Sequence, residues 1–419
     1  MERGMSSLGP GLPSFAVVAR TLRRTTERLA QELASPQEQP PEWNEFEWSI
    51  ARATSAMHGM TALLAARLRW SGPDAWQRFL SEQAAQARTR DSRIAELVAN
   101  IDSVLRDAKV SAVGLKGTAL RRLAVYLPGE RPMGDVDLLG RPADRAAIDA
   151  ALRSIGYAQA YITHRHIVYA SRVSSRQDQA FGEHADIPLR IELHEAISES
   201  LPVDGVDITE CLLREPSGYG LTSYPTLASL MRHLLLHAAG HMRPNGFRYI
   251  QMHDIALLAA RLGDVEWREL LETPPASGGS WWMYPPLALT CRYYPDAVPA
   301  KLLAAFARRC PLFLRTASAR WTLTDVSWTN LRISAFPGIV WARSIREAVQ
   351  FARSRIFPSP EALRELHEGT TATMPQTPYV GWYRNSHLRR IFRWTFSRPP
   401  RVQTMNSIHN LLSAERSRG

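Results

Sequence analysis

Cysteine is almost absent from this chain. Cys211, Cys291 and Cys310 are scattered through 419 positions, an odd number without ligand-like spacing, which argues against a disulfide framework or a zinc site. Long apolar runs are missing too. Nothing approaches the roughly 20 residues of a membrane-spanning helix, and the N-terminus has no charged segment leading into an apolar secretory core. A cytoplasmic protein with no membrane partner is expected. Lysine is the third scarcity. Of 51 basic residues only Lys109, Lys116 and Lys301 are lysine, so the formal charge of +11 rests on arginine, a bias that GC-rich coding produces by itself. The arginines are dispersed and no aromatic and basic platform accompanies them, which puts a nucleic-acid partner behind other candidates although the charge would attract one.

What is present is the composition of an ordinary globular protein, 45% hydrophobic and 22% charged, in a chain long enough for two or three domains. Residues 1–40, rich in Gly, Pro, Ser and Gln, read as a flexible leader with one amphipathic segment at Phe15–Leu33. Apolar residues recur at helical spacing through residues 41–107, predicting two or three helices with a break at Ser71-Gly72-Pro73-Asp74. Residues 108–220 alternate strand and helix patterns around Val110–Gly114, Asp135–Leu139, Tyr157–Thr163, His166–Arg172 and Pro188–His194, a core of α/β type. Helical periodicity returns over 221–365, where the aromatic density reads as helix packing. Residues 366–419 form an Arg- and aromatic-rich tail.

The stretch from Val110 to Gly140 organises the rest. An apolar run breaks at Lys116-Gly117-Thr118, as a buried strand does on entering a helix. Glycine admits close backbone approach and the first helical turn attracts phosphate, so Lys116, Gly117 and Thr118 are candidate nucleotide-binding residues. Lys116, a rare lysine, offers a compact charge. Next comes Asp135-Val136-Asp137-Leu138-Leu139. Strand alternation turns Asp135 and Asp137 to one face and Val136 and Leu138 to the other. Two carboxylates so close repel unless a cation sits between them, and Mg²⁺ completing its shell with triphosphate oxygens fits that chemistry.

A glycine turn opening a helix, followed by this Asp-x-Asp strand, resembles the active-site pattern of the DNA polymerase β-like nucleotidyltransferase superfamily. The Leu115-Lys116-Gly117 wording, with Arg131 shortly before Asp135, more closely resembles its bacterial subgroup of uncharacterised nucleotidyltransferases. Lys-Gly-Thr stands where that superfamily commonly has Gly-Gly or Gly-Ser. The resemblance implies an α+β fold, a small mixed-sheet nucleotidyltransferase core flanked by N-terminal and C-terminal helical regions. It also implies a third carboxylate on a later strand. Glu192 in Leu189-Arg190-Ile191-Glu192-Leu193-His194 takes that place, so that Asp135, Asp137 and Glu192 are the catalytic and metal-binding set for two Mg²⁺ ions. Arg131 joins the nucleotide-binding set.

His194 shares the face of Glu192, and Arg248 and Asp254 stand in a segment similar to the helix that closes over the cleft in related proteins. These three, with Arg243, form a second tier. Other histidines are read structurally: His58 as a satisfied core residue, His164 and His166 in surface or hydrogen-bonding roles, and the stripe of His233, His237 and His241 as weak grounds for a metal. The implied activity is Mg²⁺-dependent transfer of a nucleotidyl group, AMP from ATP, to a small-molecule or peptide acceptor in secondary-metabolite tailoring. Alternatives are a nucleic-acid-binding or RNA-end-modifying protein and an inactive nucleotide-binding scaffold.

Overall fold

The computed structural model describes residues 13–163, 165–171, 182–213, 218–273, 279–332, 334–359 and 387–397, together with Arg401, Thr404, Met405, Ser407 and Ile408. His164 and most of the 366–419 tail lie outside the described residues. The fold is α+β, as expected. Its elements run α1 (Phe15–Ala34), α2 (Glu45–Met57), α3 (Thr61–Arg67), α4 (Asp74–Asp107), β1 (Ser111–Gly114), α5 (Lys116–Arg122), β2 (Asp135–Gly140), α6 (Arg145–Ser154), β3 (Tyr157–Ile162), β4 (His166–Ser171), β5 (Arg190–His194), β6 (Ser198–Ser200), β7 (Gly205–Asp207), α7 (Thr209–Leu212), β8 (Gly220–Thr222), α8 (Leu227–Met242), α9 (Tyr249–Ala259), α10 (Asp264–Leu271), α11 (Tyr284–Tyr293), α12 (Ala300–Arg309), α13 (Leu312–Ser318), α14 (Ile345–Ile356) and α15 (His387–Ser397). Among the described residues no helix is long and apolar enough to cross a membrane.

Six strands form one mixed sheet in the order β3-β4-β5-β2-β1-β8. β2 runs parallel to β5 and antiparallel to β1, while β4 is antiparallel to both β3 and β5. The alternation read from sequence decides what each face does. Val136, Leu138, Ile191 and Leu193 point into one apolar core, where they meet Ile94, Ile101, Ile148 and Leu152 from α4 and α6. Fully burying each such side chain is worth roughly 1.5–3 kcal/mol, so a register slip that moved the acids into this core would be heavily disfavoured. The opposite face presents Asp135 and Asp137 in β2, Glu192 and His194 in β5, and His166 in β4.

α4 joins the sheet to the helical region. Its buried stripe, Trp76, Leu80, Ala84, Ala87, Ile94, Leu97, Ile101 and Leu105, keeps helical spacing throughout. Trp76 and Leu80 belong to the large helical core, Ile94 to Leu105 to the core beneath the sheet. A helix of this length, about 50 Å, therefore holds the two parts in fixed relation. The expected break before it is present, with Pro73 as N-cap and Asp74 in the first turn.

The amphipathic segment read at Phe15–Leu33 is helix α1, Phe15–Ala34. α1 buries Val18, Leu22 and Leu29 completely, packs against α2, and hydrogen-bonds a distant loop through Thr26 to Thr329 (3.0 Å). An amphipathic stripe with a waiting partner is a structural helix. His58 behaves as the core residue expected: its Nδ1 accepts from the Tyr249 amide at 3.1 Å and its Nε2 lies 3.3 Å from the Thr329 hydroxyl.

Candidate active site

The strand face carrying the acids opens into a cleft of about 510 Å³, roofed by α8 and the start of α9. Lys116, Gly117, Arg131, Asp135, Asp137, Glu192, His194, Arg248 and Asp254 all line it. Thr118 does not. It is fully buried, its methyl turned towards Gly114, and its hydroxyl has no hydrogen-bond partner among the described residues. Arg243 also lies outside the lining, packed against Gly338.

Parallel register explains why the carboxylates meet. Asp137 pairs laterally with Glu192, and Asp135 with Arg190. The approach to both strands is held by Arg90, an almost fully buried arginine on the inward stripe of α4. It donates to the carbonyls of Met133 (3.0 Å), just before β2, and Ile187 (2.7 Å), just before β5, and pairs with Glu183 at 3.2 Å. An arginine at a core position of an amphipathic helix was the available signal for this role; which carbonyls it reaches depends on tertiary packing.

The three acids are electrostatically unequal. Burial pushes Asp137 up, but Lys116 Nζ at 2.9 Å from Oδ1 and His194 Nε2 at 3.2 Å outweigh it and hold the carboxyl well below the usual carboxylate range. Asp135 is raised, by burial and then by the charge of Asp137. Glu192 is pushed up to about 7 by burial, Asp135 and Asp137. Lys116 is buried, which disfavours its charge, yet the carboxylates outweigh this and raise it.

Lys116 is placed by the turn itself. Its φ of +43° is in the left-handed region, uncommon for a side chain of this kind, and its amide donates to the Tyr224 hydroxyl at 3.2 Å. The Tyr224 hydroxyl also lies 2.6 Å from His233 Nδ1. Burial, followed by the charge of Lys116, holds His233 well below its ordinary pKa and keeps the ring neutral.

Arg131 and Asp254 form a bidentate pair, Nε to Oδ1 at 2.8 Å and Nη2 to Oδ2 at 2.7 Å, with the Tyr126 hydroxyl donating to Oδ1 at 2.7 Å. This ties the loop before β2 to α9. The remaining guanidinium nitrogen passes over Gly117, where an added Cβ would lie 2.5 Å from it. Gly117 thus makes room for Arg131. Arg248, at the N-cap of α9, has surface open to the cleft within a dense wall, and burial followed by the charge of Arg131 lowers its pKa. Among the described residues its guanidinium makes no ion pair within 4 Å.

His166 takes a different place from the one expected. It sits opposite His194 in the antiparallel β4 and β5 pair, its Nε2 3.5 Å from Glu192 Oε2, while its pKa is pressed to about 4 by burial and His194. The period-2 pattern put it on a strand face, but only the strand order puts that face in the cleft. Arg165, nearby, forms a bidentate pair with Glu199 at 2.9 and 2.8 Å.

No curated protein and no solved structure matches the chain. A family described as uncharacterised nucleotidyltransferase does match, over residues 44–277. The match takes in α2, α3 and α4, every strand named above, the lysine and glycine turn, all three acids and the arginines of the cleft. With more than half of its 419 residues so matched, the chain belongs to the uncharacterised nucleotidyltransferase family.

Proposed function

We propose that the cleft transfers a nucleotidyl group, AMP from ATP, to a hydroxyl or phosphate of a small-molecule or peptide acceptor, as members of the DNA polymerase β-like superfamily do with their own acceptors. One observation carries this reading: Asp135, Asp137 and Glu192 face a single cleft that Lys116, Arg131 and Arg248 also line. Acids and bases in one cavity are the complement of a metal-bound triphosphate, whose ions need oxygen donors and whose phosphates need cations. A cleft of about 510 Å³ suits a nucleotide and a modest acceptor group rather than a duplex.

The donor set fits divalent cations. Asp135 and Glu192 are both pushed up by burial and by neighbouring acids, so their ionised forms lack compensation, and a hard cation would supply it. Asp135 and Asp137 would hold Mg²⁺, with Glu192 completing the oxygen set or taking the acceptor's proton. When bound, the ion supplies charge neutralisation at the triphosphate and orients it for in-line displacement.

The chain's own groups do the rest. Lys116 and Arg248 attract the phosphates, and Arg131, fixed by Asp254 and Tyr126, presents its free edge across Gly117. Neutral His233, in the wall of the same cleft, adds a polar ring to meet the nucleotide or acceptor. The acceptor oxygen attacks the α-phosphorus, the bond to the bridging oxygen breaks, and pyrophosphate leaves with that electron pair. Incubation of the pure protein with each labelled nucleoside triphosphate, Mg²⁺ and a metabolite extract tests this. Pyrophosphate release with a nucleotidylated product is expected. Nucleotide binding with no release under any triphosphate would leave the scaffold reading in its place.

A further inference from the structure

We propose that His166, Glu192 and His194 form a binding site for a transition-metal dication of the Mn²⁺, Co²⁺ or Zn²⁺ class, beside the carboxylate pair of Asp135 and Asp137. The ligand atoms of the three residues all lie within 4.8 Å of one another. His166 and His194 face each other across the β4 and β5 register, with ring centroids 5.0 Å apart, and Glu192 stands two residues before His194 on the same strand face. Its Oε2 is 3.5 Å from His166 Nε2 and 3.9 Å from His194 Nε2. Three rigid strand positions aim three donor atoms at one point.

The two separations from Glu192 are too long for good hydrogen bonds, which close to about 2.7–3.2 Å, and only slightly longer than donors around an ion require. Ligands about 2.0–2.2 Å from a centre stand about 3.0–3.5 Å apart in tetrahedral or octahedral arrangements. Side-chain adjustment of a few tenths of an ångström closes the Glu192 pairs, and the two histidine nitrogens, within 4.8 Å of each other, need to close by up to about 1.3 Å. Ligation by His194 takes its neutral ring with Nε2 free, so Asp137 gives up its 3.2 Å hydrogen bond and keeps Lys116. Asp137, next to that nitrogen, offsets the repulsion that Lys116 would exert on the incoming ion.

Donor chemistry selects the metal. Mg²⁺ takes oxygen ligands and keeps waters, whereas imidazole pairs with first-row transition metals. Two imidazoles and one carboxylate are a poor Mg²⁺ site and a good one for the borderline ions. The cleft would therefore hold a hard cation at the aspartates and a softer one at the histidines. On this assignment Glu192 is a ligand rather than the base. The consequence for catalysis rests on the transfer reading above; the binding itself does not.

Binding is tested without nucleotide or turnover. Titration of the chelator-treated full chain with Co²⁺, followed by visible d–d absorption and calorimetry, should show one site whose spectrum excess Mg²⁺ does not remove. His166→Gln, which keeps size and polarity, should weaken Co²⁺ by at least about 10-fold, the lower end of what even outer-shell losses cost. His194→Ala should do the same, and Asp135→Asn should retain the spectrum. Absence of Co²⁺ binding below millimolar concentration in the native chain, or an unchanged spectrum and affinity in His166→Gln with native circular dichroism, would overturn the proposal. Failure of the transfer reading would show separately, as missing pyrophosphate release with an intact Co²⁺ spectrum.

Discussion

The ammonium nitrogen of Lys116 lies 2.9 Å from Asp137 Oδ1, both side chains largely buried. One residue pair thus joins the two parts of the signature motif, the turn and the acidic strand. It also separates the two aspartates, since Asp137 holds the direct partner and Asp135 is left with burial and a like-charged neighbour. The same Asp-Val-Asp motif therefore contains one carboxylate that is comfortable ionised and one that is not.

Opposite stability changes follow for the two aspartates in metal-free protein near pH 7.5. Asp135→Asn removes an ionised group whose pKa is raised by burial and by Asp137, and should leave the thermal midpoint unchanged or raised. Asp137→Asn removes the direct partner of the buried Lys116 cation and should lose about 3 kcal/mol, the lower end of costs for breaking buried pairs. Both variants should lose metal-dependent transfer. Thermal melts of the two side by side decide the matter, and equal midpoints would contradict this electrostatic ordering.

Lys116→Ala should weaken ATP binding and slow transfer by about 10²-fold, the loss typical of one preorganised electrostatic contact. Lys116→Arg should rescue poorly, because the planar guanidinium must enter a turn at φ +43° already crowded by Arg131 over Gly117. The reading is checked by nucleotide affinity together with turnover. Unchanged values in Lys116→Ala would confine the lysine to pairing with Asp137.

Much of this site was legible because strands alternate with period two. Val136, Leu138, Ile191 and Leu193 had to share one buried face, which sends Asp135, Asp137 and Glu192 to the other. Strand order was not legible. Nothing in the sequence near His166 says that β4 lies against β5, so its proximity to Glu192 emerges only from the sheet. The burial of Thr118 was not legible for a related reason: the turn geometry at Lys116 aims the next residues inward, and a one-residue rotation about a helix start is invisible to a motif. The amphipathic segment at Phe15–Leu33 was visible, but its contact to Thr329 lies 303 residues away.

His58 should make the fold sensitive to mild acid. Burial and then Arg248 hold its pKa at about 3, against an ordinary 6.5. The unfolded chain therefore binds a proton between those values that the folded chain refuses. Stability from this residue is complete above about pH 6.5 and falls as pH drops towards 3, with about 2 kcal/mol lost by pH 5. His58→Gln should be less stable than the native chain at pH 7, where it loses the imidazole hydrogen bonds, and should show a shallower decline between pH 7 and 5. Urea midpoints at the two pH values measure both. Parallel pH slopes would remove His58 from the acid response.

Neighbours in the turn after Lys116 should respond in opposite ways. A methyl at position 117 would sit 2.5 Å from the Arg131 guanidinium and 3.0 Å from the Met133 thioether, and Arg131 cannot slide aside without breaking its two bonds to Asp254. Gly117→Ala should therefore cost about 1–3 kcal/mol, the usual range for overpacking, and reduce nucleotide affinity because Arg131 moves. Thr118→Val is the contrasting case. The hydroxyl it removes is buried without a partner among the described residues, so losing it relieves a desolvated polar group and keeps the methyl packed near Gly114. Stability should be unchanged or slightly increased, with native nucleotide affinity and turnover. A Thr118→Val variant that folds normally but loses nucleotide binding would return Thr118 to the phosphate contact that its position in the sequence suggests. Normal binding in Thr118→Val together with weakened binding in Gly117→Ala would assign the role of this turn to making space for Arg131 and holding Lys116.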